Sequence, residues 1–589
     1  DVTCLLKAVE FALRHDEFYK PTDVEKANAV LDLAAQRLQQ IEAGKPAWPT
    51  AHGLVVRGFV SKIDGSPQPY GLVIPQKMDL SKKNRLYVWL HGRGDKTTDL
   101  HFIDQRLKSS GRVTPDDAIV LHPFGRQCIG FKSAGEIDVL EAIEHVSNQY
   151  RIDQDRVVLM GFSMGGAGAW HLGAHYADRW VALSPGAGFA ETAQYNRLAA
   201  VDYPSWYEQQ LWSLYDVPNY VRNLFNLPVV AYSGEIDKQI QAARVMEEAF
   251  RRHDRQLTHL IGPGMGHRYH SDVLAEIKNR MRVAADAGRN PRPKRVYLQT
   301  RTLRYARQYW VTVTQLKKHW EDSRVDAEAV AENRLRLTTK NVQAVSLSYW
   351  DKIPHGGEVR IDGQTISLMS IQGAAEVALL LRGDEWLLAT AKHRGLRKRP
   401  GLQGPMDDLF LTPFLVVIPS VESDNEAVQR WLDFEIQHLE QRWASLFRGR
   451  LPIVRDGEVT EQDLKTKSLV LWGTPQTNKV MRRAVGGHGT HVVPLKWKDG
   501  RVAIDGAVYQ GSQLVPALVY PSPWASNRYV LINSGPTFRE AHDRTNSLQN
   551  PKLPDWAVID IRIPSSDTAP GRIVDAGFFD EFWRMRPSQ

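Results

Sequence analysis

Apolar residues recur at intervals of three and four over residues 5–45, and Pro21 interrupts this run in its middle. The spacing is typical of amphipathic helices, so the pattern predicts a small helical cap or hairpin within residues 1–50. From Leu54 onward the period falls to two, and apolar and polar residues alternate on both sides of a Gly-Ser-Pro turn. That alternation predicts a two-stranded hairpin.

Five apolar runs of strand length follow, and helical patterns separate most of them. The runs are RLYVWL (85–90), AIVLHP (118–123), RVVLMG (156–161), LPVVAYSG (227–234) and THLIG (258–262). A last helical pattern covers 271–287. Because strands that alternate with helices form parallel sheets covered on both faces, residues 51–288 are predicted to be one α/β domain.

The segment AGRNPRPKR (287–295) is rich in Gly, Pro and charge, which is typical of a linker. Residues 296–400 alternate aromatic or β-branched residues with polar ones and show few helical patterns, so they are expected to form a β-rich accessory module. Strand and helix patterns alternate again over 401–589. This part is predicted to be a second open α/β domain of Rossmann or flavodoxin type.

Composition narrows the classes of protein. Hydrophobic residues make up 42% of the 589, and no apolar run approaches the roughly 20 residues of a membrane span, so no membrane span is expected. The formal net charge is +8, but the basic residues are interspersed with acidic ones. The densest basic stretch, KHRGLRKRP (392–400), is expected to be a solvated interdomain loop, with an anion contact such as an acidic polysaccharide as the alternative. No nucleic-acid partner is expected, because no nucleic-acid-binding motif accompanies the charge.

Two cysteines, Cys4 and Cys128, exclude a disulfide scaffold and a four-cysteine zinc site and leave open whether they pair. The chain begins at Asp1, which is compatible with a removed secretory signal. A secreted or periplasmic location is therefore an expectation.

The sequence GFSMGG (161–166) directly follows the strand RVVLM. A nucleophile elbow needs a strand, a tight turn of small residues and a helix beneath the serine, and all three are present here, so Ser163 is the predicted nucleophile. Its acid is expected after the strand LPVVAYSG, where Asp237 is preferred and Glu235 is the alternative. In the loop GPGMGH, His267 is the predicted base; His270 lies three residues further on, at the start of the next helix.

An oxyanion also needs two backbone donors. One is expected to be the N–H of Met164, directly after the nucleophile. The other is expected in the loop WLHGRGD after the first core strand, from Arg93, or from Gly92 if the loop turns one residue earlier. His91 in the same loop is interpreted as structural.

Six stretches together resemble a known superfamily: YGLVIP, LHGRGD, GEIDVLEAI, YRIDQDRVVLMGFSMGGAGAW, SGEIDKQ and GMGH. Over residues 54–285 they are similar to α/β-hydrolase serine esterases of the branch that includes feruloyl esterases, acetylxylan esterases and prolyl oligopeptidases. The resemblance implies that Ser163, Asp237 and His267 are nucleophile, acid and base. No array of four-stranded repeats precedes this part, which counts against a true prolyl oligopeptidase.

The C-terminal part more loosely resembles the carboxyl-terminal regions of large bacterial hydrolases, through LQGPMDDLF and INSGPTFREAHDRTNSLQNPKLPDWAVID. It contains no dinucleotide fingerprint and no P-loop, so no nucleotide is expected. An acidic and histidine group, Asp407, Asp408, His542 and Asp543, lacks paired-histidine spacing, and interdomain contacts or helix caps are the preferred interpretation. No metal and no cofactor are predicted.

The leading hypothesis is a metal-independent serine hydrolase that cleaves carboxylic esters through an acyl-enzyme. The feruloyl-esterase resemblance favours carbohydrate-linked esters, in a small molecule or a polysaccharide. Trp310, Trp350 and Trp386 are candidates for stacking on sugar rings, although tryptophans at such positions are more often in the core. The alternatives are a prolyl-oligopeptidase-type serine peptidase and a non-catalytic carbohydrate-binding or scaffold protein.

Overall fold

The computed structural model describes residues 1–389, 395–540 and 546–586. The chain begins with a helical hairpin, α1 (Val2–Arg14) and α2 (Thr22–Glu42), and Pro21 directly precedes α2. Cys4 and Ala8 on α1 pack against Val56 and Ile103 of the next unit. The predicted helical hairpin is confirmed.

An eight-stranded sheet follows in the order β1-β2-β4-β3-β5-β6-β7-β8. The first two strands form the predicted antiparallel hairpin, and β4, β3, β5, β6, β7 and β8 run parallel. The strands are β1 (Gly53–Val60), β2 (Pro67–Ile74), β3 (Asn84–Leu90), β4 (Ala118–Pro123), β5 (Ile152–Phe162), β6 (Ala182–Gly186), β7 (Val230–Gly234) and β8 (Thr258–Gly262). The helices are α3 (Asp99–Lys108), α4 (Ala134–Gln149), α5 (Met164–His175), α6 (Trp206–Trp212), α7 (Ile240–Arg251) and α8 (Ser271–Ala287).

The central strand β3 shows why the sheet is buried on both faces. Leu86, Val88 and Leu90 belong to the core on one face, whereas Tyr87 and Trp89 belong to the core on the other. Because side chains alternate across a strand, a strand covered on both sides is a continuous apolar run, as RLYVWL is. The short strand β6 has no such run and was missed by the sequence analysis.

The β-rich module contains two five-stranded sheets, with strand orders β10-β11-β14-β17-β18 and β16-β15-β13-β12-β9. The strands are β9 (Arg295–Thr300), β10 (Arg307–Gln308), β11 (Val311–Leu316), β12 (Ser323–Ala331), β13 (Arg334–Lys340), β14 (Val342–Leu347), β15 (Glu358–Ile361), β16 (Gln364–Ser367), β17 (Val377–Arg382) and β18 (Glu385–Leu388). Trp310 and Trp386 lie in the core of this module, so the sugar-stacking interpretation is wrong for both. Trp350 is half-buried, and its indole N–H donates to the carbonyl oxygen of Glu332 at 2.7 Å.

The C-terminal unit is an α/β sheet of seven strands in the order β20-β19-β21-β26-β25-β27-β28, with a separate three-stranded sheet β22-β23-β24. Its strands are β19 (Phe414–Ile418), β20 (Ile453–Arg455), β21 (Ser468–Leu471), β22 (Leu495–Lys498), β23 (Arg501–Ile504), β24 (Ala507–Gln510), β25 (Leu514–Pro521), β26 (Tyr529–Ile532), β27 (Trp556–Asp560) and β28 (Arg572–Gly577). Its helices are α9 (Glu426–Phe447), α10 (Glu461–Thr466) and α11 (Lys479–Val485).

Only one part of the seven-stranded sheet has the parallel arrangement expected of a Rossmann or flavodoxin fold. Strands β20, β19, β21 and β26 are parallel, whereas β25, β27 and β28 pair antiparallel. The connection from β25 to β26 spans residues 522–528 and is too short for a crossover helix, which parallel neighbours require. The C-terminal unit is therefore a mixed α/β sheet.

Buried charges connect the units. The Arg448 guanidinium, 2% exposed, lies 2.7 Å from both Glu17 and Asp99. Arg126 contacts Asp64 at 2.9 Å and the carbonyl oxygen of Phe447 at 2.6 Å. These ion pairs join the helical hairpin and the eight-stranded unit to the end of α9.

The basic stretch at 392–400 is only partly solvated in its described part, where Arg399 is exposed and Lys398 is not. Lys398 is buried and lies 2.5 Å from Asp555, and Arg397 and Arg399 bond to Gln315 and Ser526. Residues 392–394 lie outside the described residues.

Cys4 and Cys128 are both free thiols. Within the described ranges, no helix combines the length and the apolarity that crossing a bilayer requires.

Candidate active site

Ser163 lies in a tight turn between β5 and α5, where its backbone has φ 60°. This left-handed conformation is unfavourable for a residue with a side chain and is typical of a nucleophile held on a strained turn. Small residues are required around it: a Cβ at Gly165 would overlap the carbonyl oxygen of Leu90, and one at Gly166 would overlap that of Gly186. The Ser163 N–H donates to the carbonyl oxygen of Gly186 at 2.8 Å, which ties the turn to β6.

The structure brings the three predicted catalytic side chains together. The distance from Ser163 Oγ to His267 Nε2 is 2.8 Å, and that from His267 Nδ1 to Asp237 Oδ2 is also 2.8 Å. Asp237 is 6% exposed, whereas the His267 side chain is 41% exposed. The order of contacts is that of a Ser–His–Asp triad, in which the buried carboxylate orients the imidazole and the imidazole accepts the serine proton.

The loops that hold Asp237 and His267 are bonded to each other. The N–H of Ile236 donates to the carbonyl oxygen of Met265 at 3.0 Å. Glu235, the alternative acid, accepts the N–H of Gly264 at 2.7 Å instead of bonding to the imidazole. Glu235 therefore shapes the loop that carries His267.

His270, which follows in the same loop, is the residue that precedes α8. Its backbone N–H donates to the Tyr232 hydroxyl at 2.8 Å. Among the residues described, it makes no contact with Ser163. It therefore has no place in the triad.

Two of the predicted oxyanion donors are close to the serine, since Gly92 lies beside it and Met164 directly follows it. A Cβ at Gly92 would lie 3.6 Å from the Cβ of Ser163, so the loop after β3 passes beside the nucleophile. Within the described part of the chain, the N–H groups of Gly92, Arg93 and Met164 donate to no protein acceptor. The Arg93 side chain turns to Asp95 at 2.8 Å and is 48% exposed. The backbone amides at these three positions are thus available for a substrate oxygen.

His91 fixes the same loop. One ring nitrogen lies 2.8 Å from the carbonyl oxygen of Gly92 and the other 2.9 Å from that of Phe124. Burial lowers the pKa of His91, although both carbonyl contacts oppose this shift. The contacts agree with the structural role expected from the sequence.

The comparisons with known proteins concern this unit. The sequence profile described as the prolyl oligopeptidase family matches residues 132–284, which include Ser163, Asp237 and His267. The match covers 153 of the 589 residues and lies within residues 51–288, which we refer to as the hydrolase domain because of this similarity. No curated protein matches the chain.

Three solved structures align with 40% of this chain each. A putative dipeptidyl aminopeptidase IV from Bacteroides ovatus is 13% identical with a TM-score of 0.32, and 36% of its length is covered. An S-formylglutathione hydrolase from Agrobacterium tumefaciens is 18% identical with a TM-score of 0.32 and 96% coverage. A ferulic acid esterase is 16% identical with a TM-score of 0.30 and 97% coverage.

The C-terminal unit contacts the segment that follows β6, which no sequence signal indicated. Lys132 Nζ donates to Asn550 Oδ1 at 2.7 Å, and Asn550 Nδ2 donates to Thr192 Oγ1 at 3.0 Å. Thr192 belongs to the segment after β6, in which a Cβ at Gly188 would lie 3.0 Å from the carbonyl oxygen of Ser163. The segment after β6 therefore contacts both the turn that holds Ser163 and the C-terminal unit.

The acidic group of the C-terminal unit is used in protein contacts. Asp407 accepts the Thr537 N–H at 2.9 Å, and Asp408 accepts the Tyr529 hydroxyl at 2.8 Å and pairs with Arg304 of the β-rich module at 3.4 Å. His542 and Asp543 lie outside the described residues. A different group, Glu136, His171 and His175, has the spacing of metal ligands.

Proposed function

We propose that the hydrolase domain is a serine esterase that works through an acyl-enzyme intermediate. The observation that carries the proposal is the continuous chain of contacts from Ser163 through His267 to the buried carboxylate of Asp237. A serine hydroxyl is a weak nucleophile at neutral pH and needs such a base within hydrogen-bond distance.

In the proposed reaction, Ser163 Oγ attacks the ester carbonyl while His267 Nε2 takes the hydroxyl proton. Asp237 stabilises the resulting imidazolium, and the N–H of Met164, with that of Arg93 or Gly92, stabilises the oxyanion. His267 then gives the proton to the departing alcohol, which leaves the acyl group on the serine. A water molecule deprotonated by His267 hydrolyses this ester and frees the acid.

Carbohydrate-linked esters, feruloyl or acetyl, are the proposed substrates. The sequence resemblance to feruloyl and acetylxylan esterases supports this choice, and the exposure of His267 leaves the site open to a large alcohol group. The buried positions of Trp310 and Trp386 remove the sugar-stacking argument. A secreted or periplasmic location belongs to the same proposal, because polysaccharide substrates are found there.

A peptidase is the second candidate, since the matching profile is that of the prolyl oligopeptidase family. The esterase is preferred because the sequence resemblance also includes feruloyl and acetylxylan esterases.

Two experiments test the proposal. A fluorophosphonate probe should label the wild-type protein, and Ser163→Ala and His267→Ala should abolish labelling, whereas the matched control His270→Ala should keep it. Hydrolysis of p-nitrophenyl acetate, a feruloylated xylo-oligosaccharide and an Ala-Pro p-nitroanilide should then be compared. Efficient anilide cleavage with negligible ester cleavage would reverse the preference, and no labelling of the folded wild type would leave the non-catalytic alternative.

A further inference from the structure

A group of metal-ligand side chains lies inside the hydrolase domain, outside the triad. His171 and His175 are four residues apart on α5, so they lie on the same face of the helix, and Glu136 lies in the first turn of α4. All three are at most 2% exposed. One potential ligand atom from each lies within 4.8 Å of the others.

The two histidines have buried nitrogens without hydrogen-bond partners. His171 Nε2 lies 3.0 Å from the carbonyl oxygen of Gly130, so Nε2 carries the proton and Nδ1 keeps a lone pair that has no partner. Among the described residues, neither ring nitrogen of His175 has a partner within 3.5 Å; its Nδ1 lies 3.6 Å from Glu136 Oε2, and the backbone of Leu214 is also near the ring. A buried polar atom without a hydrogen-bond partner costs free energy. Where such an atom persists in a native protein, a bound water, a bound ion or a functional role usually explains it.

An outer layer of hydrogen bonds orients the carboxylate. The Tyr176 hydroxyl donates to Glu136 Oε1 at 2.5 Å, and the Tyr305 hydroxyl donates to Oε2 at 2.9 Å. The Tyr305 ring stacks on the His175 ring with centroids 3.5 Å apart. Ligands held by second partners of this kind, such as the Gly130 carbonyl on His171, are typical of metal sites in proteins.

We propose that Glu136, His171 and His175 bind one divalent transition-metal ion, with Zn²⁺ as the preferred ion. Two imidazole nitrogens and one carboxylate oxygen suit zinc, whereas Mg²⁺ and Ca²⁺ prefer oxygen ligands only. Tetrahedral zinc ligands about 2.1 Å from the ion lie roughly 3.4 Å apart, close to the 3.6 Å that separates His175 from Glu136.

The position of the cluster assigns the ion a structural role. Eight residues of helix separate Ser163 from His171, or roughly 12 Å along the axis. The ion would therefore not reach the substrate. It would instead link α5, the helix that begins at the nucleophile, to α4, and Tyr305 of the β-rich module would close the site.

Metal binding is tested on the full-length protein after removal of metal by a chelator. Titration with Co²⁺, followed by its ligand-field absorption, and elemental analysis after Zn²⁺ addition should each give about one ion per chain. His171→Gln and His175→Gln should weaken binding by roughly 100-fold or more. The control is His319→Gln. His319 is a buried histidine of the β-rich module that pairs with Glu581 of the C-terminal unit and lies outside the proposed site.

Each result decides the proposal. If the wild-type protein binds neither Co²⁺ nor Zn²⁺, the proposal is wrong, and Glu136 and His175 form an ion pair capped by tyrosines. The proposal is equally wrong if both glutamine variants still bind the metal. If the variants do not fold, anomalous diffraction at the zinc edge from wild-type crystals replaces them. A peak between the three side chains supports the proposal, and a peak elsewhere refutes it. None of these readouts depends on esterase activity.

Discussion

Asp237→Asn tests whether Asp237 orients His267, the proposed general base. Asp237 Oδ1 accepts the N–H of Gln239 at 2.9 Å, and Oδ2 faces His267 Nδ1 at 2.8 Å. An asparagine that keeps the first bond turns its NH₂ group toward Nδ1. His267 then has to carry its proton on Nε2, where it faces Ser163 and cannot take the serine proton.

The size of the effect follows from the alternative orientation of the amide. In the flipped orientation, the amide oxygen of the asparagine accepts the His267 Nδ1–H. Its NH₂ group then faces the N–H of Gln239, and this contact between two buried donors costs about 1–3 kcal/mol. The flipped form also lacks the negative charge that stabilises the imidazolium. We therefore expect kcat to fall by about 10²-fold to 10⁴-fold, equivalent to about 3–5 kcal/mol.

The assay is hydrolysis of p-nitrophenyl acetate at pH 7 to 9, with circular dichroism to confirm the fold. Glu235→Gln is the matched control, because glutamine keeps an oxygen that accepts the Gly264 N–H, and kcat should change by less than about threefold. A loss below tenfold for Asp237→Asn, or a larger loss for Glu235→Gln, would refute the assignment of the acid.

Three further changes test the framework of the domain. A Cβ at Gly234 would overlap the carbonyl oxygen of Gly266, so Gly234→Ala should lower the free energy of unfolding by about 1–3 kcal/mol, whereas Gly266→Ala meets open space and should be neutral in chemical denaturation. Arg448→Met leaves the buried carboxylate of Glu17 unpaired and leaves Asp99 with Lys7 alone, so it should cost about 3–5 kcal/mol, against less than about 1 kcal/mol for the exposed Arg450→Met; equal losses would contradict this reasoning. Burial lowers the pKa of Lys132 from 10.5 to about 7, so between pH 7 and 10.5 the unfolded chain holds a proton that the folded protein lacks, and the stability of the wild type should rise with pH. Lys132→Met should remove the contribution of this amine to the rise. Melting temperatures of wild type and variant that change in parallel over this pH range would contradict this reasoning.

The parts of the site that follow local rules were predictable from the sequence. Ser163, Asp237 and His267 each follow an apolar strand run of the same parallel sheet, and the carboxyl ends of parallel strands meet at one edge. The glycines of GFSMGG are explained by backbone contacts within 3 Å of their missing side chains. Local pattern and topology were therefore sufficient to assemble the triad.

Features that depend on contacts between distant segments were not predictable. An exposed and a buried tryptophan look alike in an alternating strand, so Trp310 and Trp386 were assigned a sugar-binding option although both are core. Basic residues such as Lys398 and Arg448 count as surface charge until their carboxylate partners are known, and those partners are more than 150 residues away. His171 and His175 had visible helical spacing, but Glu136 lies on another helix.

The C-terminal unit, predicted from the sequence as a second α/β domain, is joined to the other units by buried contacts. Buried ion pairs join it to the helical hairpin and to the eight-stranded unit, and Asn550 anchors Lys132 and the segment after β6 beside the nucleophile. Breaking one member of a buried ion pair is costly, so relative movement of these units is opposed by several kcal/mol. These contacts join residues 401–589 to the segment after β6, so changes in the C-terminal unit are expected to affect substrate preference at that segment.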